Sequence, residues 1–239
     1  MVRYGQAKSV QESPRMPNLA CQFQAYISRF SVPDVGKKTR SRRSRGSLSR
    51  EEILTVSLEI LHSEGLERLS MRHIADRLGC SVASPYAYFK SQEEIVRTLI
   101  IQGEHDLTAR LRRAQRSSED IFEQLTAIAY TYWDFATENR ELHRVMFGTG
   151  MGGATYRRVF PSLPTSYRVY LETLRRGSQS GAIPHNRTQY RAIARTMWAW
   201  MFGVITLEMT DMLRAAPGDH PIEEGIRLFI ALLRSGVLF

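Results

Sequence analysis

The side chains of this 239-residue chain best suited to act on another molecule are cationic and clustered. Between Val35 and Arg50 stand Lys37, Lys38, Arg40, Arg42, Arg43, Arg45 and Arg50 with no acid among them, against a formal net charge of +9 for the whole chain. The remainder is close to neutral. Lysine and arginine that neutralise phosphates release condensed counterions, so such a run can supply affinity for a polyanion without reading its sequence. A solvated tail that binds nothing has the same composition, and charge alone leaves both readings open.

Other chemistry finds little support. The six histidines (His62, His73, His105, His143, His185 and His220) are scattered, with neither a metal-ligand spacing nor a nucleophile motif beside them. An enzyme in the C-terminal half is therefore a minor alternative, and no cofactor or metal is expected. Cys21 and Cys80 form no disulfide framework, which fits a reducing cytoplasm. The longest uncharged apolar stretch, Thr196 to Leu207, falls far short of the roughly 20 residues that span a bilayer. No membrane partner is expected, and a cytoplasmic location is.

The elements that position any site read as helices almost without a break from Ser47 onward, and no strand alternation competes. Ser49 with Glu52 makes a capping box for a helix in "SREEILTVSLEILHSEG", ended by Gly65. Ser70 caps a short helix from Met71 to Leu78. Ser91 with Glu94 opens a long helix toward Arg113. Further helices are predicted at roughly 118–138, 140–147, 164–180, 187–214 and 221–235, broken by the Gly148–Gly153 cluster, by "SGAIP" and by "APGDHP". Residues 1–46, with Pro14, Pro17 and Pro33, show no sustained period; they read as a disordered extension ending in the basic arm, with Met16 as an alternative start.

The stretch "SMRHIADRLGCSVASPYAYFK", Ser70 to Lys90, joins a helix of about two turns, a glycine, a serine cap and a second short helix. That is the order of a helix-turn-helix. Ala75 must be small where the second helix crosses, Gly79 permits the turn, and Ser81 or Val82 is expected to cap the second helix. Pro85 then lies in the opening turn, where its missing N–H costs on the order of 1 kcal/mol.

Residues 48–100 resemble the DNA-binding domain of the tetracycline-repressor family. "SMRHIADRLGCSVASPYAYFKSQEEI" matches its pattern of a Ser/Thr cap, I-A near mid-helix, L-G-V-S and then Y-x-H/Y-F, with Cys80 in place of the usual valine. The resemblance implies phosphate contacts from Ser70 and Arg72, and a reading face of Ser81, Val82, Ala83, Ser84 and Pro85 in the major groove of double-stranded DNA. It also implies that Tyr86 meets a thymine methyl or a phosphate, that Tyr88 either touches DNA or is structural, and that Lys90 closes on the backbone. Arg42, Arg43 and Arg45 would reach the adjacent minor groove. With few bidentate donors on that face, apolar contacts and DNA shape carry the specificity.

Beyond about residue 118 lie all three tryptophans and six of the nine methionines, a composition suited to an adaptable apolar pocket or to a large core. Tyr130, Trp133, Met146, Phe147, Met151, Tyr167, Trp198, Met201 and Phe202 are candidate lining residues. Ile193, Met197, Trp200, Val204 and Leu207, with Ile222, Ile226, Phe229, Ile230 and Leu233, form stripes on the last two helices. By the resemblance, these two helices make a homodimer through a four-helix bundle. Trp198-x-x-x-Phe202-Gly203 resembles the W-x-x-x-H-G motif of one branch of the family, with phenylalanine in place of histidine.

The expectation is thus an all-α protein: a helix-turn-helix DNA-binding domain at 47–100, then a helical ligand-binding and dimerisation domain at 101–239. Its implied role is a ligand-responsive repressor that binds an inverted repeat as a homodimer, its effector small and mostly apolar. The alternative is a DNA-binding protein without a ligand, favoured if its own side chains fill the C-terminal cavity.

Overall fold

The computed structural model describes residues 48–148, 151–162, 164–184, 189–213 and 221–236, with residues 151–153 described by backbone alone. The extension at 1–46, with the basic arm, lies outside the described residues. Among the described residues there is no strand, and the architecture is all-α. The helices are α1 (Arg50–Glu64), α2 (Met71–Leu78), α3 (Ala83–Tyr86), α4 (Gln92–Gln115), α5 (Ile121–Glu138), α6 (Arg140–Phe147), α7 (Met151–Val159), α8 (Thr165–Ser180), α9 (Tyr190–Met209) and α10 (Pro221–Ser235).

Local signals set many of the boundaries. The box at α1 closes in both directions: Glu52 N–H donates to Ser49 Oγ at 3.1 Å, and Ser49 N–H to Glu52 Oε2 at 3.0 Å. At α4 only half of the expected box forms. Ser91 Oγ accepts from Glu94 N–H at 3.2 Å, while the Glu94 carboxylate turns to Lys90 N–H at 2.8 Å and lies 3.6 Å from Arg50. The glycine cluster is less of a break than composition suggests, since α7 begins at Met151. Thr155 and Tyr156 on α7 are buried, and α7 packs on α4 and α6; tertiary packing outweighs the helix cost of Gly152 and Gly153.

Two clusters of helices share the core. α1, α2 and α3 close around Ile53, Ile60, Ile74 and Phe89, all buried. Behind them, α4 runs unbroken through residue 100 and packs against α5, α6, α7 and α8. α9 lies on α8 and α5, and α10 on α5 and α9. α6 also reaches α1, and beside that contact Arg144 bridges Glu141 at 2.7 Å and Glu67, just past the end of α1, at 3.5 Å. On α10, a Cβ at Gly225 would sit 1.9 Å from Trp200 Cζ2, so a bare backbone there admits the indole.

Candidate nucleic-acid interface and C-terminal cavity

The turn between α2 and α3 depends on Gly79, which has φ 66° and ψ 33°, the left-handed conformation that glycine adopts without a Cβ clash. Its N–H bonds Asp76 O at 3.2 Å and the next, from Cys80, bonds Ala75 O at 3.0 Å, closing off the end of α2. Ala75 is fully buried at the crossing. Ser70 Oγ caps α2 by accepting His73 N–H at 3.1 Å.

Of the two cap positions read from the sequence, Ser81 and Val82, the structure uses the second. The Val82 side chain has no acceptor to cap α3, and Ser84 N–H bonds the backbone carbonyl of Ser81 at 2.9 Å. The Ser81 and Ser84 hydroxyls pair with each other at 2.9 Å. α3 is a single turn of four residues. Pro85 falls within it, so its missing N–H breaks no ladder. Pro85 is also buried, which corrects its placement on the reading face: it supports the turn from beneath.

Of the other residues expected at a duplex, Ser81, Val82, Ala83, Tyr86, Tyr88, Lys90 and Arg72 are exposed, and Ser70 and Ser84 are half-buried. Arg42, Arg43 and Arg45 lie outside the described residues. Tyr88 is committed inside the chain, its hydroxyl donating to the carbonyl of Leu48. Sequence reasoning missed the role of Arg50, the last cation of the basic run. Its guanidinium bonds Tyr88 O at 2.9 Å and lies 4.0 Å over the Phe89 ring. Beneath the motif, the hydrogen bond with His73 holds the Glu64 carboxyl below its ordinary pKa, with help from Arg77 and Arg68. Among the described residues, no group of three or more His, Cys, Asp or Glu could hold a metal ion, and no helix is long and apolar enough to cross a membrane.

In the C-terminal part, Leu111, Ile128, Ala129, Tyr132, Tyr170, Met197, Trp198 and Met201 line a cavity of about 20 Å³. That is room for roughly one water molecule. Trp198 and Met201 line it as expected residues; Tyr130, Trp133 and Met146 do not. On α5 the inward face is Leu125, Ile128, Ala129, Tyr132 and Phe135, which leaves Tyr130 and Trp133 half-buried on other sides. Met146 is buried against Gly103. Phe147, Tyr167 and Phe202 belong instead to an aromatic cluster around the cavity wall. Trp198 stacks on Tyr132 at 4.9 Å and meets Tyr167 edge-on at 5.3 Å; Phe147 lies 6.1 Å from Trp198, and Phe202 6.0 Å from His143. The side chain of Met151 lies outside the described residues.

Two polar pairs sit in this apolar wall. Tyr132 Oη and His143 Nε2 are 3.0 Å apart, and burial lowers the His143 pKa to about 4, so the imidazole is neutral. The Tyr170 hydroxyl meets Met197 Sδ.

The dimer stripes need correction as well. Ile193, Met197, Ile226, Phe229 and Leu233 are buried within the protomer and offer a partner no surface. On α9 the inward row is Ile193, Met197, Met201 and Ile205, at four-residue steps; the expected stripe drifted off this row after Met197. Trp200, Val204, Ile222 and Ile230 are half-buried, and Leu207, Met212 and Leu228 are exposed.

An all-α chain that opens on a helix-turn-helix and continues into a larger helical body with an aromatic cavity has the build of a bacterial DNA-binding regulator. The comparisons agree. Residues 53–99 match the profile described as bacterial regulatory proteins, tetR family, and residues 125–233 the profile described as tetracyclin repressor-like, C-terminal domain. The chain belongs to the tetR family of bacterial regulatory proteins.

It is 32% identical over 121 residues to the nucleoid occlusion factor SlmA of Haemophilus influenzae, covering 50% of this chain and 53% of that protein. To the SlmA of Mannheimia succiniciproducens it is 33% identical over 100 residues, 41% of this chain and 46% of that one. The chain thus spans about half the length of the curated relatives it matches. A solved protein of unknown function from Rhodococcus sp. RHA1 shares the fold with a TM-score of 0.66 at 23% identity, over 80% of this chain and all of that one. The transcriptional regulator FadR of Bacillus subtilis, solved with stearoyl-CoA, does so at 0.61 and 16%, over 79% and 99%.

Proposed function

We propose that this chain is a homodimeric, DNA-binding transcriptional regulator, a repressor that reads an inverted repeat with one helix-turn-helix per protomer. One observation carries the reading: Gly79 turns the chain so that Val82, Ala83 and Tyr86 stand exposed, with the exposed cations Arg72 and Lys90 toward the two ends of the motif in sequence. Family membership and the net charge of +9 support it. Work on DNA sets its location at the nucleoid, in the cytoplasm. The domain division follows the same reading, with the helix-turn-helix at 47–100 and a ligand-binding and dimerisation part at 101–239. The test is selection of bound duplexes from a randomised pool, followed by titration at several salt concentrations. Affinity should fall steeply and linearly on a log–log plot; salt-independent binding would contradict phosphate contact.

The effector is a small, mostly apolar molecule held among Tyr132, Tyr170, Met197, Trp198 and Met201. Methionine side chains reshape readily, and the cavity must enlarge to admit such a guest. A ligand shifts the regulator only if it favours the enlarged state. The volume of about 20 Å³ favours a second reading, DNA binding without an effector. Thermal shift against a panel of apolar compounds separates the two: a stabilising compound that also releases DNA supports the effector, and none across the panel supports the second reading.

A further inference from the structure

On the reading that this chain binds duplex DNA, on which this rests, we infer that Arg158, on α7 of the C-terminal part, is a positioning residue for the DNA contact: it cancels the Glu93 carboxylate at the start of α4 and so lets Lys90 meet a phosphate. Ser91 caps α4, and its first turn carries two acids, Glu93 and Glu94. Carboxylates there suit the positive end of the helix dipole. They do not suit an approaching polyanion. Exposed Lys90 stands three and four residues before them and enters no ion pair among the described residues.

Each acid is met by an arginine from another helix. Arg50 of α1 lies 3.6 Å from Glu94. Arg158 donates to Glu93 Oε1 at 2.8 Å, from 65 residues further along the chain. Its helix is well anchored: α7 packs on α4 and α6, and two residues before Arg158 the buried Tyr156 donates to Glu104 at 3.0 Å. The guanidinium is therefore presented to α4 from a fixed base.

This pair does little for folding. The Arg158 and Glu93 side chains are 74% and 53% exposed, and an ion pair so open to water contributes little to stability. Its effect on a bound duplex is larger. Three residues span at most about 11 Å, close to the Debye length of about 10 Å at 0.1 M salt. With Arg158 in place, Glu93 adds almost no net charge at that range; without it, a bare carboxylate stands beside the phosphate that Lys90 meets. The helix-turn-helix cannot correct this alone, because Arg50 is already committed to Glu94 and the Tyr88 carbonyl.

The experiment titrates the duplex selected by the intact protein, by anisotropy at about 0.1 M salt, against wild type and its variants. Arg158→Ala should weaken binding about threefold per protomer, with an unchanged melting temperature. Glu93→Gln should bind at least as tightly as wild type, and adding Arg158→Ala to it should cost nothing further. Arg158→Lys, which keeps the charge, should stay within about twofold of wild type. Full affinity in Arg158→Ala overturns the inference. So does a loss that persists in the Glu93→Gln background, because Arg158 would then touch the duplex itself. A matching fall in melting temperature overturns it too, since the role would then be structural. Failure of the wild-type protein to retain any duplex is a different result and overturns the DNA-binding reading itself.

Discussion

Glu104 caps a helix that begins some sixty residues later in the chain: its Oε1 accepts the backbone N–H of Ser166 at 2.8 Å and its Oε2 the Ser166 hydroxyl at 3.1 Å. The cap position of α8 is Pro164, which has no side chain for the task. A carboxylate from α4 takes it over and meets the positive end of the helix dipole. The Tyr156 hydroxyl adds a third donor at 3.0 Å, tying in α7. One side chain thus joins three helices of the C-terminal part and does so fully buried.

Replacing it is therefore costly. Glu104→Ala leaves the Ser166 N–H and the Tyr156 hydroxyl buried without an acceptor, a loss of about 2–3 kcal/mol read from urea midpoints. The pH dependence has a definite sign. Desolvation raises the folded-state pKa above the ordinary 4.5 despite the three donors. The folded state then binds the proton more tightly than the unfolded one, so Glu104 favours folding most below pH 4.5 and loses that advantage as pH rises through the folded pKa. The stability difference between wild type and Glu104→Gln should shift in that direction between pH 4 and pH 8, where most other contributions cancel.

His143 behaves in the opposite sense. Burial depresses its pKa to about 4, from 6.5 when unfolded. Its contribution is full above pH 6.5 and is lost as pH falls toward 4, because the unfolded chain takes up the proton first. An imidazole resonance that titrates near pH 4 in the folded protein checks this by NMR. A resonance titrating near 6.5 would mean that the ring is hydrated. Tyr132→Phe removes its hydrogen-bond partner and should cost about 1 kcal/mol.

How far the sequence reached depends on the range of the interaction. The α1 capping box, the Ser70 cap, Gly79 and buried Ala75 are local features written within four or five residues, and they stand as read. The faces of α9 and α10 were harder. An apolar residue facing its own protomer and one facing a partner look alike in a periodic pattern, so the pattern places Ile193 and Met197 outward though both are buried. For the cavity wall, residue type points to tryptophan and methionine and passes over Tyr132, Ile128 and Tyr170. Helical phase on α5 carried that signal: Leu125, Ile128, Ala129, Tyr132 and Phe135 recur at three and four residues. Glu104 was invisible because its partners lie 52 and 62 residues away.

The two tyrosines of the motif should separate cleanly. Tyr86 is 52% exposed on the reading face, whereas the Tyr88 hydroxyl is spent on Leu48 O. Tyr86→Ala should weaken binding to the selected duplex by about tenfold with an unchanged melting temperature, because an exposed ring contributes to contact and little to folding. Tyr88→Phe should do the reverse: about 1 kcal/mol less stable, with affinity within about threefold of wild type. Equal losses of affinity in both would mean that Tyr88 meets DNA directly.

Leu207 and Leu228 offer the sharpest test of the dimer. They are 40% and 62% exposed on α9 and α10, beside half-buried Trp200, Val204, Ile222 and Ile230. Large apolar side chains left open on adjacent helices are what a second protomer would cover. Leu228 is 62% exposed, so Leu228→Glu disturbs little of the protomer's own packing, and its unfolding free energy should stay within about 0.5 kcal/mol of wild type when extrapolated to the isolated protomer. In a shared four-helix bundle the same change buries a carboxylate against apolar neighbours, and sedimentation equilibrium should show monomer. Affinity for an inverted repeat should then fall to that of a single half-site, since the second contact is no longer tethered to the first. A Leu228→Glu protein that stays dimeric would move the interface to another face and leave the exposure of these two leucines without a partner.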